Sequence, residues 1–516
     1  MSSMVVDETE PLLNTTSDLA RVRSHQQVVH DPHKPSRVID FDPNGDPENP
    51  QDWPRPFKWA ITLILVFMAF SVTFNCVSVV PIANRIVDDL SDGQSNKYAS
   101  VLLVTIWELG EAAGPVFIAP LSEMFGRYPV LNVCNILFAA TTIFAALSPT
   151  TPLFILARAL SGLVVSSNVL SPAIIGDIFE PDRRGSPMSL AILAPLIGGG
   201  TGPAIAGAIA ESLGWRWVLW IAAILVGTGG VLTMVFFRET YKVAILNRRV
   251  QRLRSSKSPG SSYSYSTASS AETRVEEEDS DIEETSSRGD LLESIIRPFY
   301  VFGSSGVLMS ISLFGSLAFA HFYNLSTTLP DILTTYYGLS PKATGASLIC
   351  FSLGSAVSVL ICNSFLDRIY IRLRESHDGV GQPEFRLPLS IIGAFIMPFA
   401  IALYGWAAHL RLPLPLLLLS VSFVGSTLIL ATLPLSAYVV DAFGLYSASA
   451  MTGFIVARCL MGTFLPLATT PLVEAFGYGW GFTVLALVSL SLAPVPLVVM
   501  RYGTHWRYKS KYTRDA

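Results

Sequence analysis

Charged residues are scarce in this sequence, and their scarcity excludes most soluble folds. Only 14% of the 516 residues are Asp, Glu, Lys or Arg, whereas 51% are hydrophobic. A soluble domain carries about 25% charged residues. The Lys and Arg residues that do occur flank apolar segments and form no separate basic patch. We therefore expect the chain to lie in an apolar environment and to bind no nucleic acid.

Cysteine is also scarce, and its spacing excludes two kinds of site. No pair follows the CxxC pattern, so the sequence predicts neither a zinc site nor a disulfide framework. We interpret the cysteines as small buried hydrophobic residues. No nucleophile elbow, nucleotide loop or metal cluster is found, so we expect no catalytic residue, no metal and no enzyme activity. All five cysteines lie within apolar segments: Cys76, Cys134, Cys350, Cys362 and Cys459.

A cleavable signal peptide is lacking as well. The chain begins with "MSSMVVDETEPLLNTTSD", which is polar and acidic rather than basic and then apolar. Insertion into a membrane is therefore expected to depend on the first apolar segment itself.

Long apolar runs are what the sequence does contain. Four of them exceed about 18 residues without a single charged residue, which is enough for a helix to cross a hydrocarbon core of roughly 30 Å. The sequence therefore predicts a polytopic membrane protein. These runs are Ala60–Val80, Met188–Ile209, Trp217–Phe237 and Leu387–Ala408.

Twelve candidate spans give an all-α membrane protein of two six-helix bundles. The polar, low-complexity insert at 241–297 is predicted to be a disordered cytosolic loop. Around it we expect a mostly disordered cytosolic tail at 1–58, bundles at 59–240 and 298–500, and a basic cytosolic tail at 501–516. The predicted spans are 60–80, 98–121, 130–147, 152–175, 188–209, 217–237, 301–323, 343–366, 387–408, 413–440, 447–471 and 480–500.

The distribution of Lys and Arg predicts the orientation of these spans. Basic residues concentrate in the connections on one side, which the positive-inside rule assigns to the cytosol. Both termini and the insert are therefore expected in the cytosol. The cytosolic connections hold Arg127, Arg183, Arg184, Lys242, Arg248, Arg249, Arg252, Arg254, Arg368, Arg372 and Arg374, against Arg85, Lys97, Arg216, Lys342 and Arg411 on the outer side.

The stretch "IGGGTGPAIAG" in the fifth span raises the question of a phosphate-binding loop. It has no preceding strand and no Lys-Ser/Thr ending, so we interpret it as a packing surface. Small residues at four-residue spacing let two helices approach closely, and Pro203 invites a bend. The two stripes are Gly198, Gly202, Ala206 and Gly199, Pro203, Gly207; a possible mate in the eighth span is Ala346, Cys350, Gly354, Ser358.

Several motifs in a fixed order carry a family resemblance. They are "DPENPQDWP", "APLSEMFGRYPV" (Ala119–Val130), "RALSG" (Arg158–Gly162), "GDIF", "GTGPAIAG", "GWRWVLWI" and "YVVDAF". In this order they resemble the major facilitator superfamily, and more narrowly its fungal twelve-span drug:proton antiporters. The resemblance implies export of small organic compounds driven by a proton gradient, without another cofactor.

The resemblance also implies roles for two loops. Glu123, Gly126 and Arg127 look like the family's loop between spans two and three, where they would latch the cytosolic side; a solvated loop is the alternative. The segment "LDRIYIRLR" resembles its counterpart in the second half. Asp177 and Asp441, which end spans four and ten, are expected to anchor helix ends.

Ionisable side chains within spans are costly and are therefore functional candidates. Glu108 and Glu111 lie one turn apart in span two, Arg158 lies in span four and Arg458 in span eleven. We expect Glu111 to pair with Arg458, because both lie roughly 15 Å from the inner face, and to take a proton when the halves rock. Arg158 is the competing partner, most naturally of Glu108. A static pair that only fixes packing is the alternative.

A substrate cavity between the halves would be lined by spans one, four, seven and ten. Each polar or aromatic candidate there has plain packing as its alternative, and His321 can titrate near neutral pH. The candidates are Phe74, Asn75, Asn168, His321, Tyr323, Asn324 and Tyr438.

The sequence thus predicts a monomeric, proton-coupled exporter that binds a small organic substrate and protons within a lipid bilayer. A nutrient importer and a non-transporting membrane sensor are the alternatives. We expect the plasma membrane, although "ETEPLL" (Glu8–Leu13) matches an acidic dileucine signal that would favour the vacuolar membrane.

Overall fold

The computed structural model describes residues 37–42, 45–91, 96–180, 183, 185–255, 265–267, 286–377 and 381–507. The dileucine motif at 8–13, Arg184 and the tail beyond 507 lie outside the described residues. The all-α prediction is confirmed for the membrane part, where ten helical stretches are long and apolar enough to cross a bilayer. We call the face that carries Arg127 and Arg386 the inner face, which the sequence predicts to be cytosolic, and the opposite face the outer face.

Among the residues that the structure describes, the first half of the chain contains eight α-helices. In an apolar surrounding, backbone N–H and C=O groups must bond within their own segment, so these apolar segments form helices, and their apolar side chains pack against neighbouring helices. These helices are α1 (Arg55–Val77), α2 (Ala83–Leu90), α3 (Lys97–Phe125), α4 (Arg127–Leu147), α5 (Thr151–Leu163), α6 (Ser167–Ile178), α7 (Gly185–Ser212) and α8 (Trp215–Phe236).

In the described part of the connection to the second half there are a short helix and one strand, and the described part of the second half adds eight α-helices. They are α9 (Lys242–Ser255), β2 (Tyr265–Thr267), α10 (Ser286–Ser304), α11 (Gly306–Tyr337), α12 (Pro341–Ser347), α13 (Ile349–Glu375), α14 (Pro388–His409), α15 (Leu414–Phe443), α16 (Ser447–Leu492) and α17 (Val495–Arg507). Helix α16 covers the predicted span eleven and most of span twelve. It consists of two helical parts that join at Gly477, whose φ of 73° is non-helical.

Predicted spans four, seven, eight and twelve differ from the structure. Span eight is divided into α12 and α13, and span twelve between α16 and α17. Span four is two short helices, α5 and α6, separated at residues 164–166, where two β-branched residues precede a serine and all three are weak helix formers. Span seven begins later and ends later than 301–323. Ser305 caps α11 by accepting a hydrogen bond from the Leu308 amide, and the polar residues after Tyr323 remain helical because hydroxyls such as that of Thr328 bond to the carbonyl four residues back.

The amino-terminal segment and the start of the insert form a small unit of their own. Strand β1 (Arg37–Ile39) pairs in parallel with β2. Lys242 at the start of α9 bonds Asp40 at 2.9 Å, and this hydrogen bond holds the pKa of Asp40 below its usual range. Arg249 bonds Asp46 at 2.6 Å. Within the loop predicted to be disordered, the structure describes α9, β2 and the start of α10, and two basic residues of α9 gain acidic partners from a distant segment of the chain.

The outer ends of the two halves pack directly on each other. A Cβ built on Gly207 of α7 would collide with the Pro341 carbonyl oxygen, and one on Gly345 of α12 would collide with the Pro203 carbonyl oxygen. Asn84 donates a hydrogen bond to Asp331 across the same boundary, and Lys97 lies 3.7 Å from Glu474. These contacts close the outer side in this structure.

The glycine stretch of α7 packs against two different helices. A Cβ on Gly198 would lie 3.1 Å from the Phe70 carbonyl oxygen, and one on Gly202 would lie 3.1 Å from a Val77 methyl group, so this stripe faces α1. The other stripe reaches α12 through Pro203 and Gly207. Gly354, which we expected to face this stretch, instead lies against the backbone of Ser422 in α15.

Candidate functional site

The centre of the candidate site is a carboxylate of α3 bonded to a tyrosine of α11. Tyr323 donates a hydrogen bond from Oη to Glu108 Oε1 at 2.7 Å, and both residues are buried. The Cys76 sulfur of α1 lies 3.8 Å from the same hydroxyl. Glu108 Oε2 is buried and accepts no N–H or O–H hydrogen bond from the described residues, while the Cys459 thiol lies beside this carboxylate. Three helices of the two halves therefore converge on one acid.

Glu111 occupies the next turn of α3 and has different partners. Trp107 donates from Nε1 to Glu111 Oε2 at 3.1 Å, and Arg458 Nη2 lies 3.8 Å from Glu111 Oε1. The Arg458 guanidinium also lies 4.2 Å from the centre of the Phe319 ring. The structure thus places Glu108, Glu111 and Arg458 together at the boundary between the halves.

Arg158 does not pair with Glu108, which we had expected as the competing arrangement. Its guanidinium donates to the carbonyl oxygens of Asn75 at 2.8 Å and Cys76 at 2.6 Å, and it lies 4.6 Å from the centre of the Trp107 ring. Helix α1 ends close to these carbonyls, at Val77, and its last carbonyl groups lack intrahelical partners. A cation is favourable at a helix carboxyl end, so Arg158 caps α1.

The predicted cavity residues separate into two groups. In α11, His321 bonds the Ser489 hydroxyl at 2.8 Å, and Asn324 accepts a hydrogen bond from Thr469 at 3.1 Å. In the first half, Asn75 donates to Thr142 at 3.0 Å. Phe74 and Tyr438 are buried, and the Tyr438 hydroxyl has no hydrogen-bond partner among the described residues. The side chain of Asn168 lies outside the described part of the chain.

The inner face of the first half is built around Arg127. Its Nε lies 3.5 Å from Asp177 Oδ2, and its backbone amide donates to Glu239 Oε1 at 2.8 Å. Gly126 has φ of 97°, and a Cβ there would collide with the Glu239 carboxylate. Glu123 is exposed, so the acid paired with Arg127 is the one that ends α6. The sequence indicated the arginine and the glycine of this loop but not Glu239, which belongs to the "RET" after span six.

A similar arrangement occupies the inner face of the second half. Arg386 lies 2.9 Å from Asp441 Oδ2 and 2.6 Å from Asp367 Oδ1. Burial opposes its charge, but the two carboxylates raise the pKa of Arg386 above its usual range. The buried pair of Arg507 and Glu384, 3.1 Å apart, closes the end of α17. Sequence reasoning missed Arg386 and Glu384, because both lie in a short 3-10 helix (Pro383–Arg386) without a recognisable motif.

A cavity of about 250 Å³ lies between the halves on the outer side of the site. Asn84, Asp88 and Lys97 line it from the first half, and Ser326 and Asp331 from the second. Oδ1 of Asp88 is buried without a hydrogen-bond partner among the described residues. The cavity therefore has polar walls that belong to both halves.

Comparison with known proteins agrees with this architecture. A sequence profile of the Major Facilitator Superfamily matches residues 59–466. MFS transporter cpaT of Aspergillus oryzae is 32% identical over 481 residues, covering 93% of this chain and 94% of cpaT. Efflux pump radE of Floropilus chiversii is 29% identical over 477 residues, covering 92% and 86%. The partially occluded inward-open xylose transporter XylE from E. coli has a TM-score of 0.62 at 16% identity, covering 87% of this chain and 98% of XylE, which shows a shared fold alone.

Proposed function

Because this chain belongs to the Major Facilitator Superfamily, and so is a membrane transporter rather than an enzyme, we propose that it exports small organic compounds in exchange for protons. Export is supported by relatives such as efflux pump radE, which matches over most of both chains. The proton is supported by the chemistry of the site at the boundary between the halves. The chain itself supplies the site from both halves, so the proposal takes a monomer as the working unit.

The observation that carries the proposal is the pair of buried carboxylates beside one arginine. Glu108 and Glu111 lie on one face of α3, and Arg458 faces them from α16. If both acids are ionised, Arg458 is in contact with Glu111, whereas Glu108 has no cation within 4 Å among the described residues, and a buried charge without such a partner is costly. Binding one proton removes this cost. Separating α3 from α16 changes the cost, because it moves Arg458 away from the carboxylates. A site of this kind links a proton to the rocking of the halves.

Of the two acids, Glu108 is the one we propose as the proton carrier. Both oxygens of Glu111 have a partner, because Trp107 Nε1 donates a hydrogen bond to Oε2 and Arg458 Nη2 lies 3.8 Å from Oε1. In Glu108, Oε1 accepts a hydrogen bond from the Tyr323 hydroxyl, while Oε2 accepts no N–H or O–H hydrogen bond from the described residues. That second oxygen is where a proton can reside.

Transport in inside-out vesicles tests the proposal. Vesicles from cells that produce the chain are offered the dye rhodamine 6G and a panel of radiolabelled fungal toxins, with and without an acidic lumen. We expect at least one compound to accumulate only when the lumen is acidic, and a protonophore to abolish the accumulation. Glu108→Gln should remove the stimulation by acid, because an amide cannot carry the proton.

The matched control is Glu375→Gln, which changes an exposed carboxylate at the end of α13. This variant should accumulate the compound as the unmodified chain does. Accumulation that is equal with and without the proton gradient would exclude proton coupling. Inward transport into intact cells would favour the importer instead.

We place this exporter in the plasma membrane. A fluorescent fusion tests the assignment, and a variant with Leu12 and Leu13 changed to alanine tests the dileucine alternative. Vacuolar fluorescence that moves to the cell surface in this variant would favour the vacuolar membrane.

A further inference from the structure

We propose that Tyr323 is a positioning residue that keeps the outer side closed while Glu108 is ionised and no substrate is bound. Its hydroxyl would thereby prevent the empty transporter from carrying protons across the membrane. The inference rests on the proposed function, since it takes Glu108 as the proton carrier, and it assigns the residue that couples this acid to the outer side.

The first observation is that the hydrogen bond from Tyr323 to Glu108 joins the two halves. Glu108 belongs to α3 and Tyr323 to α11, and the bond is 2.7 Å long with both partners buried. Any motion that separates α3 from α11 must break it. The other ionisable groups around Glu108 are Glu111 on α3, Arg458 and Cys459 on α16, and Cys76 on α1.

The second observation is the position of this bond beneath the outer cavity. Val104 and Ser326 both line the cavity. Val104 precedes Glu108 by four residues and Ser326 follows Tyr323 by three, so each lies one helical turn outward on the same face as its neighbour. The cavity therefore ends about one turn above the hydrogen bond. Breaking the bond would extend the cavity to Glu108.

The charge on Glu108 decides how strongly the bond holds. A hydroxyl that donates to an ionised carboxylate forms a bond roughly twice as strong as one between neutral groups. A proton on Oε2, the oxygen that Tyr323 does not occupy, neutralises the acceptor and weakens the bond. When Glu108 is ionised, the strong bond thus holds the outer side closed. When Glu108 is protonated, the weaker bond lets the outer side open.

This difference matters for coupling. An exchanger leaks protons if the protonated form crosses in one direction and the empty, ionised form returns. The bond from Tyr323 hinders that return step, so a proton can complete the cycle only when substrate takes its place. Removing the hydroxyl should therefore produce a proton leak that needs no substrate.

Proton leak into proteoliposomes tests the inference without knowledge of the substrate. The full-length chain is reconstituted with a pH-sensitive dye inside, a pH gradient is imposed with valinomycin and potassium present, and no organic compound is added. We expect Tyr323→Phe to leak about tenfold faster than the unmodified chain, which corresponds to about 1.4 kcal/mol and is within the range for a hydrogen bond to a charged group. Glu108→Gln and the double variant Tyr323→Phe with Glu108→Gln should stay at the background rate.

The matched control is Tyr404→Phe. Tyr404 is a buried tyrosine whose hydroxyl lies 3.0 Å from Thr328 of α11, but both belong to the second half, so this variant should not leak. Hydrogen exchange of Ala83–Leu90 in detergent gives a second readout, and Tyr323→Phe should exchange faster there at neutral pH than Tyr404→Phe.

The outcomes separate the two proposals. A folded Tyr323→Phe variant with background leak and unchanged exchange would overturn the role of Tyr323, while acid-driven accumulation in the vesicles would still support proton-coupled export. A double variant that leaks as fast as Tyr323→Phe would show that the proton does not reside on Glu108. That result would contradict both the role of Glu108 as proton carrier and the role of Tyr323 as its positioning residue.

Discussion

Arg158 and Arg458 each lie over an aromatic ring, and each has at least one further partner within the membrane helices. Trp107 lies under Arg158 and also donates to Glu111, while Phe319 lies under Arg458. A ring face attracts a cation by about 0.5–2 kcal/mol without adding a charge of its own. The site therefore stabilises two arginines with fewer ionised carboxylates than a set of ion pairs would need. Under the proposed function, this arrangement leaves Glu108 to bind the proton.

The coupling between Glu111 and Arg458 is the first prediction at this scale. Glu111→Gln, Arg458→Gln and the double variant form a double-mutant cycle on the pH dependence of transport and on thermal stability. Removing Arg458 deprives a buried carboxylate of this partner, with an expected loss of about 1–3 kcal/mol. We expect Glu111→Gln to restore part of that stability, with a coupling of about 0.5–3 kcal/mol. Strictly additive effects would mean that the 3.8 Å separation carries no interaction.

The charged residues of the site are easier to predict from the sequence than their partners. A charge in an apolar span is conspicuous, which indicates Glu108, Glu111, Arg158 and Arg458 at once. Arg158 binds backbone carbonyls of α1, and no side-chain pattern encodes a carbonyl partner. The bond from Tyr323 to Glu108 joins residues 215 positions apart, so it too depends on tertiary packing.

At the scale of helices, the outer contact between α7 and α12 depends on two glycines. The carbonyl of Pro341 lies where a Cβ of Gly207 would be, and the carbonyl of Pro203 lies where a Cβ of Gly345 would be. Backbone contact of this kind is what small residues at helix interfaces permit. The two helices come from different halves, so their approach is part of outer closure.

Gly207→Leu is therefore predicted to hold the outer ends apart. The leucine side chain would displace α12, the outer side would stay open, and transport should fall at least about tenfold, the change expected for 1.4 kcal/mol. Transport of the identified compound and hydrogen exchange of Pro341–Ser347 measure the effect.

Gly199→Leu is the control on the same helix, because a Cβ on Gly199 meets nothing within 4 Å. It should transport normally. If Gly207→Leu also transports normally at the same abundance in the membrane, the contact between α7 and α12 has no role in the cycle.

Helix positions follow from hydropathy, but helix ends do not. Hydropathy predicts span seven at 301–323, yet α11 continues through polar residues to Tyr337. Its hydroxyls bond to carbonyls of the same helix, and Asn324 binds Thr469 of α16. A polar segment can therefore remain helical within the membrane region when neighbouring helices satisfy it.

At the scale of the whole molecule, contacts between the halves run from the centre outward. Glu111 lies near the middle of α3 and Arg458 near the middle of the part of α16 before Gly477, and Glu108 with Tyr323 follows one turn further out. The pair of Asn84 and Asp331 and the pair of Lys97 and Glu474 lie at the outer ends. In the proposed export cycle, this series must open from the outside before substrate can leave. The proposed proton site, Glu108 with Tyr323, is thus part of the outer closure and lies one turn outward of Arg458 and Glu111.

Covalent closure of the outer side tests this reading of the molecule. We predict that Asn84→Cys with Asp331→Cys, oxidised in membranes, loses transport, and that a reducing agent restores it, because a disulfide would fix a contact that must break in every cycle. Two samples receive the same oxidant as controls. One is the unmodified chain with its five cysteines. The other is Asn135→Cys with Thr233→Cys, which replaces a hydrogen bond of 3.1 Å inside the first half and should leave transport unchanged, since this contact does not cross the boundary between the halves. If the chain cross-linked at 84 and 331 still transports, the outer ends need not separate, and the substrate must leave by a route that avoids the cavity between Asn84 and Asp331.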